Sequence, residues 1–108
     1  MASTRSIDLH RWCLPCVYDG EEFCRDESAA FVCGAISATL GALTDYRFPE
    51  GADEGCFVVN FLARDPLPDG VLNRWRSVTA ALPRVLREPG TSVAIGDPID
   101  CGAIEATP

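Results

Sequence analysis

The stretch Cys56-Phe57-Val58-Val59-Asn60-Phe61-Leu62-Ala63 most limits what this chain can become. Read as an extended segment, it points Phe57, Val59, Phe61 and Ala63 to one side and Cys56, Val58, Asn60 and Leu62 to the other. Both faces are then largely apolar. A strand of that kind belongs in the middle of a sheet, covered by helices on both sides, or by helices on one side and a partner on the other.

Two helical patterns supply the cover. Val32, Ile36, Leu40 and Leu43 form an apolar stripe at helical spacing, and Asp26 or Ser28 can accept the first free N–H groups, which predicts a helix over 28–43. A second stripe on it is small: Ala30, Gly34, Ala38 and Gly41. With no charge from 29 to 44, this helix is expected to lie deep against a sheet, or at a dimer interface where small residues allow close approach. Val71, Trp75, Val78, Leu82 and Val85 predict a second helix over 70–88, capped by Asp69. Pro83 must kink it or start a fresh turn.

The remaining segments are short. Residues 7–14 alternate weakly and predict a strand that Pro15 ends or confines to an edge. Cys16 to Glu27 reads as an acidic loop, Thr44 to Gly55 as a loop or edge hairpin, and Ser92 to Gly96 and Ile99 to Ile104 as short strands. Residues 1–6 and 105–108 are expected to fray. The chain of 108 residues is long enough for one core and reads as a single small α+β domain. Its element order, two helices on a small sheet, resembles the ferredoxin-like βαββαβ arrangement, which hosts many unrelated functions.

Charge removes some functions. A net charge of −7 repels a polyanion, so nucleic acid is not an expected partner. The exception is residues 69–88, where Arg74, Arg76, Arg84 and Arg87 make the segment +2 against about −9 for the rest. These four arginines are the candidate contact for a protein partner, and the same asymmetry would let two copies pair. The longest uncharged stretch, Ser28 to Thr44, is 17 residues and rich in small residues, so no membrane span is expected. No apolar run follows Met1 to Ile7, which leaves a cytoplasmic, reducing location as the expectation.

In that setting six cysteines are free, metal-bound or catalytic. His10, Cys13, Cys16 and Cys24 offer one imidazole and three thiols, a set suited to tetrahedral Zn2+, and form a candidate zinc knuckle. An extended 7–14 segment would send His10 and Cys13 to opposite faces, which opposes a shared ion. The run His10-x2-Cys13-x2-Cys16 is similar to the HxxxCxxC signature of zinc-binding anti-sigma factors, one residue short. Trp12-Cys13-Leu14-Pro15-Cys16 resembles the WCxPC active site of thioredoxin-like proteins, which implies thiol–disulfide exchange by Cys13 and Cys16. Against this, five nearby carboxylates disfavour a thiolate. An iron–sulfur cluster on Cys13, Cys16, Cys24 and Cys33 fits no familiar spacing, and all six thiols can equally serve as small buried apolar groups. That last role suits Cys33, Cys56 and Cys101 best. Asp97 and Asp100 read as surface turn residues, and no phosphate-cradling glycine loop is present.

The expected function is binding more than catalysis: a small intracellular regulatory or adaptor domain, as homodimer or with a protein partner, with a zinc knuckle as staple. The alternatives are a thiol–disulfide oxidoreductase or a small cofactor-free ferredoxin-like enzyme with its pocket between sheet and helices.

Overall fold

The computed structural model describes residues 9–51 and 55–104; the expected frayed ends and the start of the first strand lie outside them. Its centre is β1, Leu9–Asp19, which runs straight through Pro15 instead of ending there. β1 pairs along nearly its whole length with β3, Cys56–Arg64, from Leu9 opposite Arg64 to Val17 opposite Cys56. Its other side is shared by two short strands: β4, Ser92–Ile95, pairs with Cys16 to Asp19, and β5, Ile99–Ala103, with His10 to Cys13. The Pro15 carbonyl accepts the Gly96 N–H at 2.8 Å.

That bond explains why a proline survives inside a central strand. In an antiparallel ladder a residue's N–H and C=O face the same neighbour, so the donor Pro15 lacks would point at the interruption between β4 and β5. The fit is tight. A Cβ on Gly96 would come within 3.0 Å of the Pro15 carbonyl oxygen and 3.1 Å of its Cγ, so a larger residue there would have to displace Pro15 slightly.

β2, Thr44–Arg47, is an edge strand on β3, and the sheet order is β2-β3-β1-β4 with every pairing antiparallel. The fold is α+β, and its element and strand order are consistent with the ferredoxin-like arrangement expected from the sequence.

Helix α1 spans Arg25–Leu40, three residues earlier at each end than expected. A 3-10 turn, Glu22–Cys24, feeds into it, and Ser28 is already inside, its hydroxyl donating back to the Cys24 carbonyl at 2.7 Å. Gly41 ends it in the left-handed region at φ 64°, where glycine has no Cβ penalty, so Leu43 falls outside the helix and is 86 % exposed. Val32 and Ile36 are buried as expected. The small stripe is not: Ala30, Gly34 and Ala38 face solvent, which costs little because each carries so little apolar surface.

The expected 70–88 helix is two pieces, α2 Val71–Thr79 and α3 Leu82–Leu86. Pro83 has no N–H to continue the ladder and sits in the first turn of α3, the fresh start that its position allowed. Gly70, not Asp69, occupies the N-cap of α2, and no side chain caps it.

The helices cover one face of the sheet. Trp12, Leu14, Cys16 and Tyr18 of β1 and Phe57, Val59, Phe61 and Ala63 of β3 pack there against Val32, Ile36 and Trp75. Trp12 stacks on Phe61 at 6.4 Å and Phe61 meets Trp75 edge-on at 5.6 Å. On the other face Cys56, Val58, Asn60 and Leu62 are only half-buried, and no helix among the described residues covers them.

The two core indoles differ in one respect. Trp12 Nε1 donates to the Ala63 carbonyl at 3.1 Å, whereas Trp75 Nε1 finds no acceptor among the described residues. Trp12→Phe should therefore cost about 1 kcal/mol more than Trp75→Phe, beyond the similar ring area each loses, as read by urea unfolding of the two variants.

Candidate functional site

The alternation of β1 decides where the expected metal ligands go. His10 and Cys16 take the parity of the buried Trp12 and Leu14, while Cys13 shares the opposite face with Arg11, Pro15 and Val17. Cys24 is buried in the 3-10 turn before α1. The four side chains of the expected knuckle are not brought together, and neither are Cys13 and Cys16. A two-residue gap joins two thiols when it starts a helix or a knuckle, not when it spans a flat strand.

His10 instead turns to the C-terminal end of the chain. Its Nδ1 lies 2.9 Å and 3.0 Å from the two carboxylate oxygens of Asp100, and Asp100 Oδ1 also accepts the Gly102 N–H at 2.9 Å. The Gly102 N–H, and next His10, hold the Asp100 carboxyl below its ordinary range. Asp65 joins them: the ligand atoms of His10, Asp65 and Asp100 lie within 4.8 Å of one another. One imidazole and two carboxylates are a donor set that zinc accepts. Two of the three are exposed, and such groups commonly stand together without an ion.

Cys13 meets a different partner. Its Sγ lies 3.0 Å from Cys101 Sγ in β5 and donates to Asn60 Oδ1 at 3.4 Å; Asn60 Nδ2 in turn donates to Asp45 Oδ1 at 3.2 Å. This row crosses four of the five strands, β5, β1, β3 and β2, on the uncovered face. It floors a depression of about 570 Å³, with Arg11 and Leu43 at its sides, a volume within the range of small-ligand sites. The space between sheet and helices, where an enzyme pocket was expected, is filled by Phe61, Trp75, Leu14 and Ile36, all buried. A second depression of about 520 Å³ lies off the end of the sheet, between Leu40, Leu62 and Pro66, and is largely apolar.

The thiols divide by environment. Burial pushes Cys16 up to about 12 and Cys33 up to about 11, and it raises Cys24 as well. Cys13 is raised first by its hydrogen bond with Cys101 and then by burial, with Arg47 pulling the other way. Cys101 is the exposed member of the six.

The arginine stripe is split in use. Arg74, Arg84 and Arg87 are exposed on α2, α3 and the turn after them. Arg76 is engaged, its Nε and Nη2 donating to the Ile95 carbonyl at 3.3 Å and 3.1 Å, with Asp97 at 3.6 Å. It fastens α2 to β4.

Sequence reasoning missed Cys101, Asn60 and Asp45 as a group. Asn60 was the available signal, a polar residue at a central position of the most apolar strand. No helix among the described residues is long and apolar enough to cross a membrane. Comparison with protein-family models, with curated proteins and with solved structures gives no match for this chain.

The thiol environments predict a pH dependence. In the unfolded chain these thiols ionise near pH 9, whereas Cys16 and Cys33 in the fold stay protonated to about 12 and about 11. Their neutral form is thus part of the folded state at neutral pH, and that stability drains away as pH rises from about 9 towards 11 and beyond. Alkylation by iodoacetamide at pH 8, followed by mass spectrometry, should modify Cys101 first and leave Cys16, Cys24 and Cys33 unmodified until urea unfolds the chain.

Proposed function

We propose that this chain is a small protein-binding regulatory domain that pairs with a second copy through its uncovered sheet face. The observation that carries the reading is the one-sided cover of the sheet: β3 is apolar on both faces, yet the described helices pack on one.

The uncovered face has two halves. Around Cys13 and Asn60 it is polar and concave. Towards the other end it is a flat apolar patch of Pro15, Val17 and Val58, with Val17 48 % exposed in a central strand. One exposed charge of each sign flanks that patch: Asp19 at the end of β1 and Arg47 on β2, opposite Val58. An isologous contact brings the same patch of two copies together, so a patch with one cation and one anion at its rim is complementary to itself. The net charge of −7 on each copy opposes pairing at long range, and matching Arg47 to Asp19 twice at the rim offsets it locally. The exposed Arg74, Arg84 and Arg87 lie on the helices, off the sheet's uncovered face, and stay open to an acidic segment of another protein.

Sedimentation velocity across a concentration series tests the pairing. The expected result is a reversible dimer that Val17→Glu abolishes, since it places a charge in the patch without touching the core. Asp19→Arg and Arg47→Asp should each weaken the dimer roughly tenfold, since each breaks two rim pairs at about 0.7 kcal/mol apiece, and the double reversal should restore it. A monomer at all concentrations, or a dimer indifferent to Val17→Glu, would overturn the reading.

A further inference from the structure

The two thiols at the floor of the depression are 88 residues apart in the chain and owe their meeting to the sheet. β5 pairs with β1 so that Cys13 stands opposite Ile99 and Trp12 opposite Asp100, and the register then shifts between Trp12 and His10. Cys101 is thereby the diagonal neighbour of Cys13, and both side chains lie on the face that the helices leave open. Twist and bulge bring one diagonal of an antiparallel pair closer than the other. Here the sulfurs stand at 3.0 Å, inside ordinary sulfur contact, and about 1 Å of further approach reaches a disulfide bond.

From this juxtaposition we infer that Cys13 and Cys101 are a reversible two-electron redox site, which exchanges with disulfide-bearing molecules at the mouth of the depression. The site goes beyond the proposed pairing and stands without it, because the flat patch around Val17 and Val58 is the other half of the face.

The roles follow from position. Cys101 is exposed on an edge strand and is the group that an incoming disulfide can reach; Cys13 is half-buried behind it. The Cys101 thiolate attacks one sulfur of R–S–S–R, the S–S bond breaks, and RS− leaves and takes up a proton. Cys13 then loses its proton to solvent and attacks Cys101 Sγ, releasing the second RS−. In sum, two thiols and one disulfide become one intramolecular disulfide and two RSH, and the two electrons reside on the released thiols. A dithiol reverses the sequence.

The surroundings support this order. The hydrogen bond from Cys13 to Asn60 Oδ1, with Asn60 Nδ2 donating to Asp45 Oδ1, holds the Cys13 side chain beside Cys101 until the mixed disulfide forms, while the contact with Cys101 and burial favour its protonated form. Arg47 is the charge that favours the Cys13 thiolate when it is needed. Cys16, Cys24 and Cys33 are buried and lie off this face, so they do not compete, and Cys56, half-buried on the same face, stands opposite Val17 at its other end. The bond would fasten β5, whose residues are all exposed, to the central strand.

The test treats the intact reduced protein with oxidised glutathione, removes the excess, and counts thiols after denaturation. The expected result is the loss of two of the six thiols, with the tryptic peptide Trp12–Arg25 joined to Glu88–Pro108. Because the first peptide holds three cysteines, Cys16→Ser must leave the link in place and Cys13→Ser must abolish it. In Cys13→Ser, glutathione should remain attached at Cys101; in Cys101→Ser, a change at an exposed position, no link should form and Cys13 should stay unmodified. Circular dichroism of each variant confirms that it is folded. Six surviving thiols in the native protein, or a link that Cys16→Ser removes, would overturn the inference. Sedimentation of the oxidised and reduced forms is independent of that result and reports on the pairing alone.

Discussion

The structure depends on β1 being hydrogen-bonded on both sides while carrying a proline. Pro15 leaves a gap in donors at the middle of the sheet, and a continuous neighbour strand on that side would have an acceptor with nothing to bind. The chain meets the gap with Gly96-Asp97-Pro98, which divides the neighbour into β4 and β5. Gly96 approaches Pro15 closely enough to donate to its carbonyl. From that one accommodation follows the separate placement of β5, the shift in its register, and the position of Cys101.

Cover on one side of the sheet sets what kind of surface the protein has. The aromatic layer of Trp12, Phe61, Phe57 and Trp75 seals the helix side, where burial of each ring contributes most to stability. The same strands turn half-apolar groups to the outside, and the residues there sort by neighbour: Pro15, Val17 and Val58 at one end, a polar row from Asp45 to Cys101 at the other. A flat apolar half and a concave polar half suit different tasks, docking and small-group chemistry.

Burial separates the six thiols by role more than their spacing does. Cys16 and Cys33 sit among apolar side chains where a thiolate is costly, so they act as small core groups. Burial first, and then the charges of Glu88, Glu27 and Glu21, push the Cys24 thiol further towards the neutral form. Cys13, Cys56 and Cys101 share the face open to solvent, and of these Cys13 and Cys101 make a sulfur contact.

What the sequence determined was local. The two-sided strand at 56–63, the stripe of Val32 and Ile36, the turn at Pro83 and the opposite facing of His10 and Cys13 follow from periods of 2 and 3.6 and from proline's missing donor, all properties of a few neighbouring residues. The conflict within His10 to Cys16 was legible for the same reason: a strand of alternating parity does not gather a knuckle. Tertiary structure decided the rest. Pro15 inside a central strand, the end of α1 at Gly41 before Leu43, the contact of His10 with Asp100 and that of Cys13 with Cys101 each depend on which strand lies beside β1 and in what register. No local period encodes that choice; it is made when the sheet closes and the gap left by Pro15 must be matched by a break in the strand beside it.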